Sequence, residues 1–123
     1  MKNPPLQVQI FGTLHSNETK KALRFFKERR IQTHFVDLDQ HPAAAGELRR
    51  FGQKFGWAPL IDLKKRIPGR HPRPTGFSES QILPLFEANP ILITTPLVRS
   101  GNQLAIGWDE GLWREFLKSA SSS

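Results

Sequence analysis

The sequence contains no cysteine. Disulfides, thiolate metal sites, cysteine nucleophiles and dithiol redox chemistry each need that sulfur, so all four are excluded together. Long apolar runs are lacking too, and the start (Met1, Lys2, Asn3, Pro4, Pro5) has no apolar h-region of a secretory signal. A cytoplasmic location without membrane association is therefore expected. The four histidines (His15, His34, His41, His71) show neither i, i+4 pairing nor partner acids at ligand intervals, so no metal site is expected. A glycine-rich phosphate loop of the nucleotide-binding type is also missing.

What is present is enough for one modest core: 123 residues, 37% of them hydrophobic, with 9 Phe and 3 Trp. One domain over residues 1–118 is expected, with 119–123 as a frayed, disordered tail that has no apolar anchor. Phe25, Phe26, Phe51, Phe55, Trp113 and Phe116 recur at helical spacing and read as core; Trp57 and Trp108, at element ends, are left unassigned. The net charge of +7 is concentrated in one stretch. Arg49, Arg50, Lys54, Lys64, Lys65, Arg66, Arg70 and Arg73 face a single acid, Asp62, while the rest of the chain holds ten basic and ten acidic residues. If these eight converge, they form a patch for an acidic protein surface or for phosphates. No DNA-binding module surrounds them and no aromatic side chains interleave for base stacking, so protein contact is favoured over nucleic acid. The simplest reading is a solvated basic face that aids solubility.

Alternation of Leu6, Val8 and Ile10 with Gln7 and Gln9 predicts a strand over about Leu6 to Phe11. From Ser16 or Asn17 to near Arg30, Ala22, Leu23, Phe25 and Phe26 fall among Lys20, Lys21, Arg24, Lys27 and Glu28, a helix with one apolar face. Ser16 is suited to cap it and Glu18 suits its dipole. His34 to Leu38 reads as a second strand, giving a right-handed βαβ unit with parallel strands. Pro42 starts a second helix that runs over Ala43 to Phe55 and ends at Gly56. Residues 68–76, with three prolines and two glycines, form a loop. Ser78 to Asn89 has helical spacing, with Pro84 expected to kink it or shorten its start. Leu97 to Arg99 and Leu104 to Ile106 flank a Ser100, Gly101, Asn102 turn as a β-hairpin, and Asp109 with Glu110 caps a last helix. The fold class is α/β: a mixed four-stranded sheet with a helical segment between a βαβ and a ββα half.

The segment FGTLHSNETKKALRFFKERRI resembles the signature of the ArsC/Spx family of thioredoxin-like proteins. Gly12 matches the glycine, Ser16 occupies the cysteine position, Lys20, Lys21 and Ala22 match the basic pair and alanine, and Ile31 matches the apolar residue that follows. The similarity continues through Gly56, Trp57, Leu60 and Ile61, then Asn89, Pro90, Ile91, Leu92, Ile93, Pro96, Leu97 and Val98, and finally Gly107, Asp109 and Glu110. The pieces lie in the same order as in the family and leave out only residues 67–77.

The resemblance implies a thioredoxin-like fold and, in the arsenate reductases of the family, a cysteine thiolate with three arginines that hold the oxyanion. The arginine positions fall here on Asp62, Thr95 and Gly107, so all four functional positions are changed. A serine hydroxyl has no thiolate-like form near neutral pH and needs an adjacent base, and no carboxylate is evidently placed to orient His15; no catalytic residue is assigned. The resemblance also implies a cis peptide bond at Thr95-Pro96, facing the first turn. The surviving feature is a helix N-terminus with backbone N–H groups, a setting that attracts small anions. The expected binding residues are Thr13, Leu14, His15, Ser16, Asn17, Lys20, Thr95 and Pro96, with glutathione or another small anion as ligand and no resident cofactor. Spx-type relatives bind RNA polymerase, which makes it a partner by analogy. The expected function is binding or regulatory and non-redox; the alternative is a glutathione-dependent reductase or thiol-transferase relic.

Overall fold

The computed structural model describes residues 7–41, 43–62, 78–89 and 92–121. Two compact units are present, one made of residues 1–37 with 95–123 and the other of residues 38–94. The first holds β1 (Gln7–Gly12), α1 (Asn17–Glu28), β2 (Gln32–Asp37), β3 (Leu97–Ser100), β4 (Gln103–Ile106) and α4 (Glu110–Ser121); the second holds α2 (Ala45–Phe55), a 3₁₀ turn (Ala58–Leu60) and α3 (Glu79–Ala88). The strand order is β2-β1-β3-β4, with β1 parallel to β2 and the other neighbours antiparallel. This is the expected thioredoxin-like layout: a mixed sheet whose two halves are separated in sequence by a helical segment.

Register explains how the first unit packs. Phe35, Ile10, Val98 and Ala105 are partners in succession across the four strands and share one face. On that face lie Ala22, Phe25 and Phe26 of α1 and Trp113 and Phe116 of α4, so the two helices cover the same side of the sheet. Phe26 and Trp113 are almost wholly buried, a burial worth roughly 1.5–3 kcal/mol for a side chain of the Phe class. In the second unit, α2 buries Leu48 and Phe51 and α3 buries Ile82, Leu85 and Phe86. Ile61 forms a single antiparallel bridge with Ile93.

Several boundaries differ from those the sequence suggests. β2 is Gln32–Asp37, starting two residues before His34, because its parallel register pairs Gln32 with Gln7; Leu38 lies beyond its end, buried in the turn. β1 continues to Gly12, and Leu6 lies outside the described residues. α1 stops at Glu28 because Arg30 adopts a left-handed conformation (φ 58°). The Ile31 N–H reaches Phe26 O at 2.9 Å and the Arg30 N–H reaches Lys27 O at 3.0 Å, the two bonds of a Schellman cap. α2 begins at Ala45, since Ala44 is extended (ψ 140°), and Pro42 lies outside the described residues. Pro84 does not shorten α3 to a start of its own; the helix begins at Glu79 and carries the proline inside it. α4 runs to Ser121, three residues into the stretch expected to fray, because Ser and Ala can continue the i to i−4 ladder at little cost; residues 122–123 lie outside the described set. The loop expected at 68–76 lies outside it as well.

Candidate functional site

The turn from β1 into α1 is built on Gly12 and Thr19. A Cβ at Gly12 would overlap the Thr19 Oγ1, would lie 2.6 Å from its Cγ2 and 3.0 Å from its Cβ, so only glycine lets the helix lie this close to the strand end. Thr19 is fully buried, and its hydroxyl has no hydrogen-bond partner among the described residues. This residue was not singled out from the sequence. Its signal is its position: Thr19, Ala22 and Phe26 fall at i, i+3 and i+7, on the buried stripe of α1.

Ser16 has the role its residue type suggests. Its Oγ accepts from the Thr19 N–H at 3.1 Å, its carbonyl accepts from the Lys20 N–H at 3.1 Å, and its own N–H donates to Thr13 O at 3.1 Å. The hydroxyl in the cysteine position is thus a helix cap. Asn17 opens the helix, and Glu18 adds a carboxylate to its first turn. His15, Asn17 and Lys20 are exposed, Thr13 is half-buried, and Leu14 has 52% of its surface in solvent, one of two large apolar side chains so exposed among the described residues.

The second half of the candidate site comes from the approach to β3. The Thr95-Pro96 peptide bond is cis. Extending the β1–β3 register past Phe11 and Leu97 by one residue places Pro96 opposite Gly12. On the other side the Gly107 N–H donates to Pro96 O at 2.8 Å, continuing the β3–β4 ladder. Gly12, Pro96 and Gly107 therefore align across one end of the sheet, and the 13–16 turn and Thr95 lie at that end. Among the described residues, no hydrogen bond uses the backbone N–H or C=O of Thr95, which is only half-buried. Gly107, where the resemblance implies an arginine, has a φ of 69°, a conformation that most L side chains avoid.

The basic residues are less available than their number suggests. Arg49 Nε lies 3.0 Å from Glu79 Oε1, Arg50 Nε lies 3.8 Å from Glu47 Oε2, and Lys54 Nζ lies 5.6 Å from the centre of the Phe55 ring. Lys64, Lys65, Arg66, Arg70 and Arg73 lie outside the described residues, so a convergent patch is not built from what the structure describes. Among the described residues no cluster of three His, Asp or Glu could hold a metal ion, and no helix is long and apolar enough to cross a membrane.

Solved structures share this architecture. A YffB protein superposes with a TM-score of 0.80 at 19% identity, covering 89% of this chain and 98% of the other. An arsenate reductase from Vibrio cholerae gives 0.72 at 16% identity, covering 90% and 98%. An arsenate reductase (ArsC) related protein from Brucella melitensis gives 0.62 at 20% identity, covering 95% and 99%. At these identities the likeness is one of fold. No protein-family model and no curated protein matches the sequence.

Proposed function

We propose that this chain is a non-redox member of the ArsC/Spx family that binds a small thiol peptide of the glutathione class, without transforming it, at the sheet end carrying Gly12, Ser16 and cis-Pro96. The fold shared with arsenate reductases supports the family, and the absence of any cysteine supports the loss of its redox step. The observation that carries the reading is the Thr95 backbone, whose N–H and C=O have no partner among the described residues, at the same end as the N-terminus of α1. An extended peptide can pair with Thr95 as an added strand does, while its carboxylates meet the amide end of the helix and Lys20. Ser16 contributes through the cap that fixes this end, and its hydroxyl attacks nothing. Protein contact through the basic segment has less support, since Arg49 and Arg50 already face glutamates.

Titration of reduced glutathione, arsenate and phosphate into the isotope-labelled protein tests this. Saturable amide shifts at Asn17, Thr19 and Thr95 with glutathione are expected. No shift at those three amides with any of the ligands would remove the binding site, and arsenate reduction above background in a glutathione- and glutaredoxin-coupled assay would overturn the non-redox assignment.

A further inference from the structure

A second feature lies where α1 meets Trp108 and the first turn of α4. Lys21 and Arg24 of α1, Arg29 just past its end, and Trp108 and Trp113 line a trough of about 260 Å³. Phe25 completes its aromatic floor, with its ring centre 5.3 Å from that of Trp113, and Trp108 stands 6.1 Å from Trp113 at an interplanar angle of 31°. Trp108 keeps 48% of its surface exposed, against 1% for Trp113, so the wall of the trough is open to solvent while its floor is core.

The charges around it are unequally satisfied. Glu110, on the α4 side, is already paired with Arg114 at 3.2 Å. By contrast, among the described residues Lys21, Arg24 and Arg29 meet no carboxylate. The Lys21 ammonium lies 4.1 Å from the centre of the Trp108 ring, and the Arg29 guanidinium lies 3.7 Å from that of Phe25 while donating to Phe25 O at 2.9 Å. Arg24 has neither contact. Lys21 and Arg24 are both exposed, so an incoming anion can reach them from solvent. Glu28 is the one acid of the trough without such a pairing among the described residues, and the three cations outnumber the two acids.

We infer that this trough docks an acidic segment of a partner protein, which inserts one apolar side chain beside Trp108 and sets its carboxylates against Arg24 and Lys21. The open wall favours a side chain over a free-standing small molecule, since sites that engulf one bury about 70–90% of its surface and Trp108 leaves this trough exposed. The composition fits as well: Trp and Arg are the residues on which interface energy concentrates, and an exposed Trp beside cations that meet no carboxylate among the described residues is a preformed anchor point for such a segment. The cations then steer the encounter and the ring supplies the desolvated contact.

The test selects a random twelve-residue displayed peptide library on the intact chain and, in parallel, on Trp108→Ala and Arg24→Glu. Both side chains are exposed, and thermal melts establish that the variants keep the fold. The wild type is expected to enrich sequences with several Asp or Glu around one Phe, Leu or Trp. A synthetic peptide of that class should quench tryptophan fluorescence and lose about tenfold or more in affinity with either variant. Three results would overturn the inference: no enrichment over the variants, enriched peptides that are neutral or basic, or undiminished affinity after the peptide's apolar residue is changed to Ser. Tighter binding of a small aromatic carboxylate than of the peptide would also overturn it, in favour of a small-molecule site.

Discussion

Adding one methyl group at Gly12 is expected to destabilise the protein by about 1–2 kcal/mol, and the reason lies in Thr19. The new Cβ would crowd three atoms of that side chain, two of them well inside contact distance. Thr19 is fully buried on the helix face that meets the sheet, so neither it nor the backbone beneath can retreat cheaply. Overpacking of this kind costs about 1–3 kcal/mol, offset by roughly 0.4–1 kcal/mol from the smaller conformational freedom of alanine in the unfolded chain. The prediction sharpens in a double-mutant cycle. Thr19→Ala removes Oγ1 and Cγ2 and leaves only the 3.0 Å contact with Cβ, so Gly12→Ala with Thr19→Ala should recover about 1 kcal/mol relative to additivity. Thr19→Val serves as the control, because it keeps the branched shape and deletes only the unpaired hydroxyl. Alone it should leave stability unchanged or raise it by up to about 1 kcal/mol, and combined with Gly12→Ala it should restore nothing. Urea unfolding followed by tryptophan fluorescence and by circular dichroism reads all five variants. An additive cycle, or a Gly12→Ala protein as stable as the parent, would refute the close approach of α1 to the end of β1.

Ser16→Ala removes the acceptor for the Thr19 N–H and should cost about 1 kcal/mol, whereas Ser16→Gly should cost only a few tenths; denaturant midpoints separate the two. Arg30→Gly relieves a left-handed residue in the cap of α1 and should gain about 0.5–1 kcal/mol, seen as a raised melting temperature, with the Ile31-to-Phe26 amide bond still protected from exchange.

Features that depend on local chemistry were legible in the sequence. The alternation through Ile10 marks β1, the stripe of Ala22 and Phe26 marks α1, and a serine ahead of that stripe marks its cap. What was not legible depends on distant partners. The start of β2 follows from Gln32 meeting Gln7, a parallel register that leaves no trace in its own residues. The end of α1 is hidden in the sequence because a left-handed cap is usually announced by Gly or Asn, and here it falls on Arg30. The cis bond before Pro96 has no local signature, and the family resemblance alone pointed to it. The basic stretch looked uniform in sequence, yet Arg49 meets Glu79 across thirty residues, a pairing that only the folded chain makes. Trp108 stayed unassigned because its value comes from Lys21 and Trp113, which reach it only when α1 and α4 share a face of the sheet.

The hydroxyl cap at residue 16 also changes what the surroundings can do to this protein. In a turn of this shape a low-pKa thiol climbs from sulfenic to sulfonic acid under peroxide or is capped by disulfide exchange, and each state presents a different shape and charge to whatever docks there. The Ser16 oxygen has no such ladder, and it stays in one hydrogen bond with Thr19. The Ser16 end of the helix therefore presents the same hydroxyl in a reducing and in an oxidising medium.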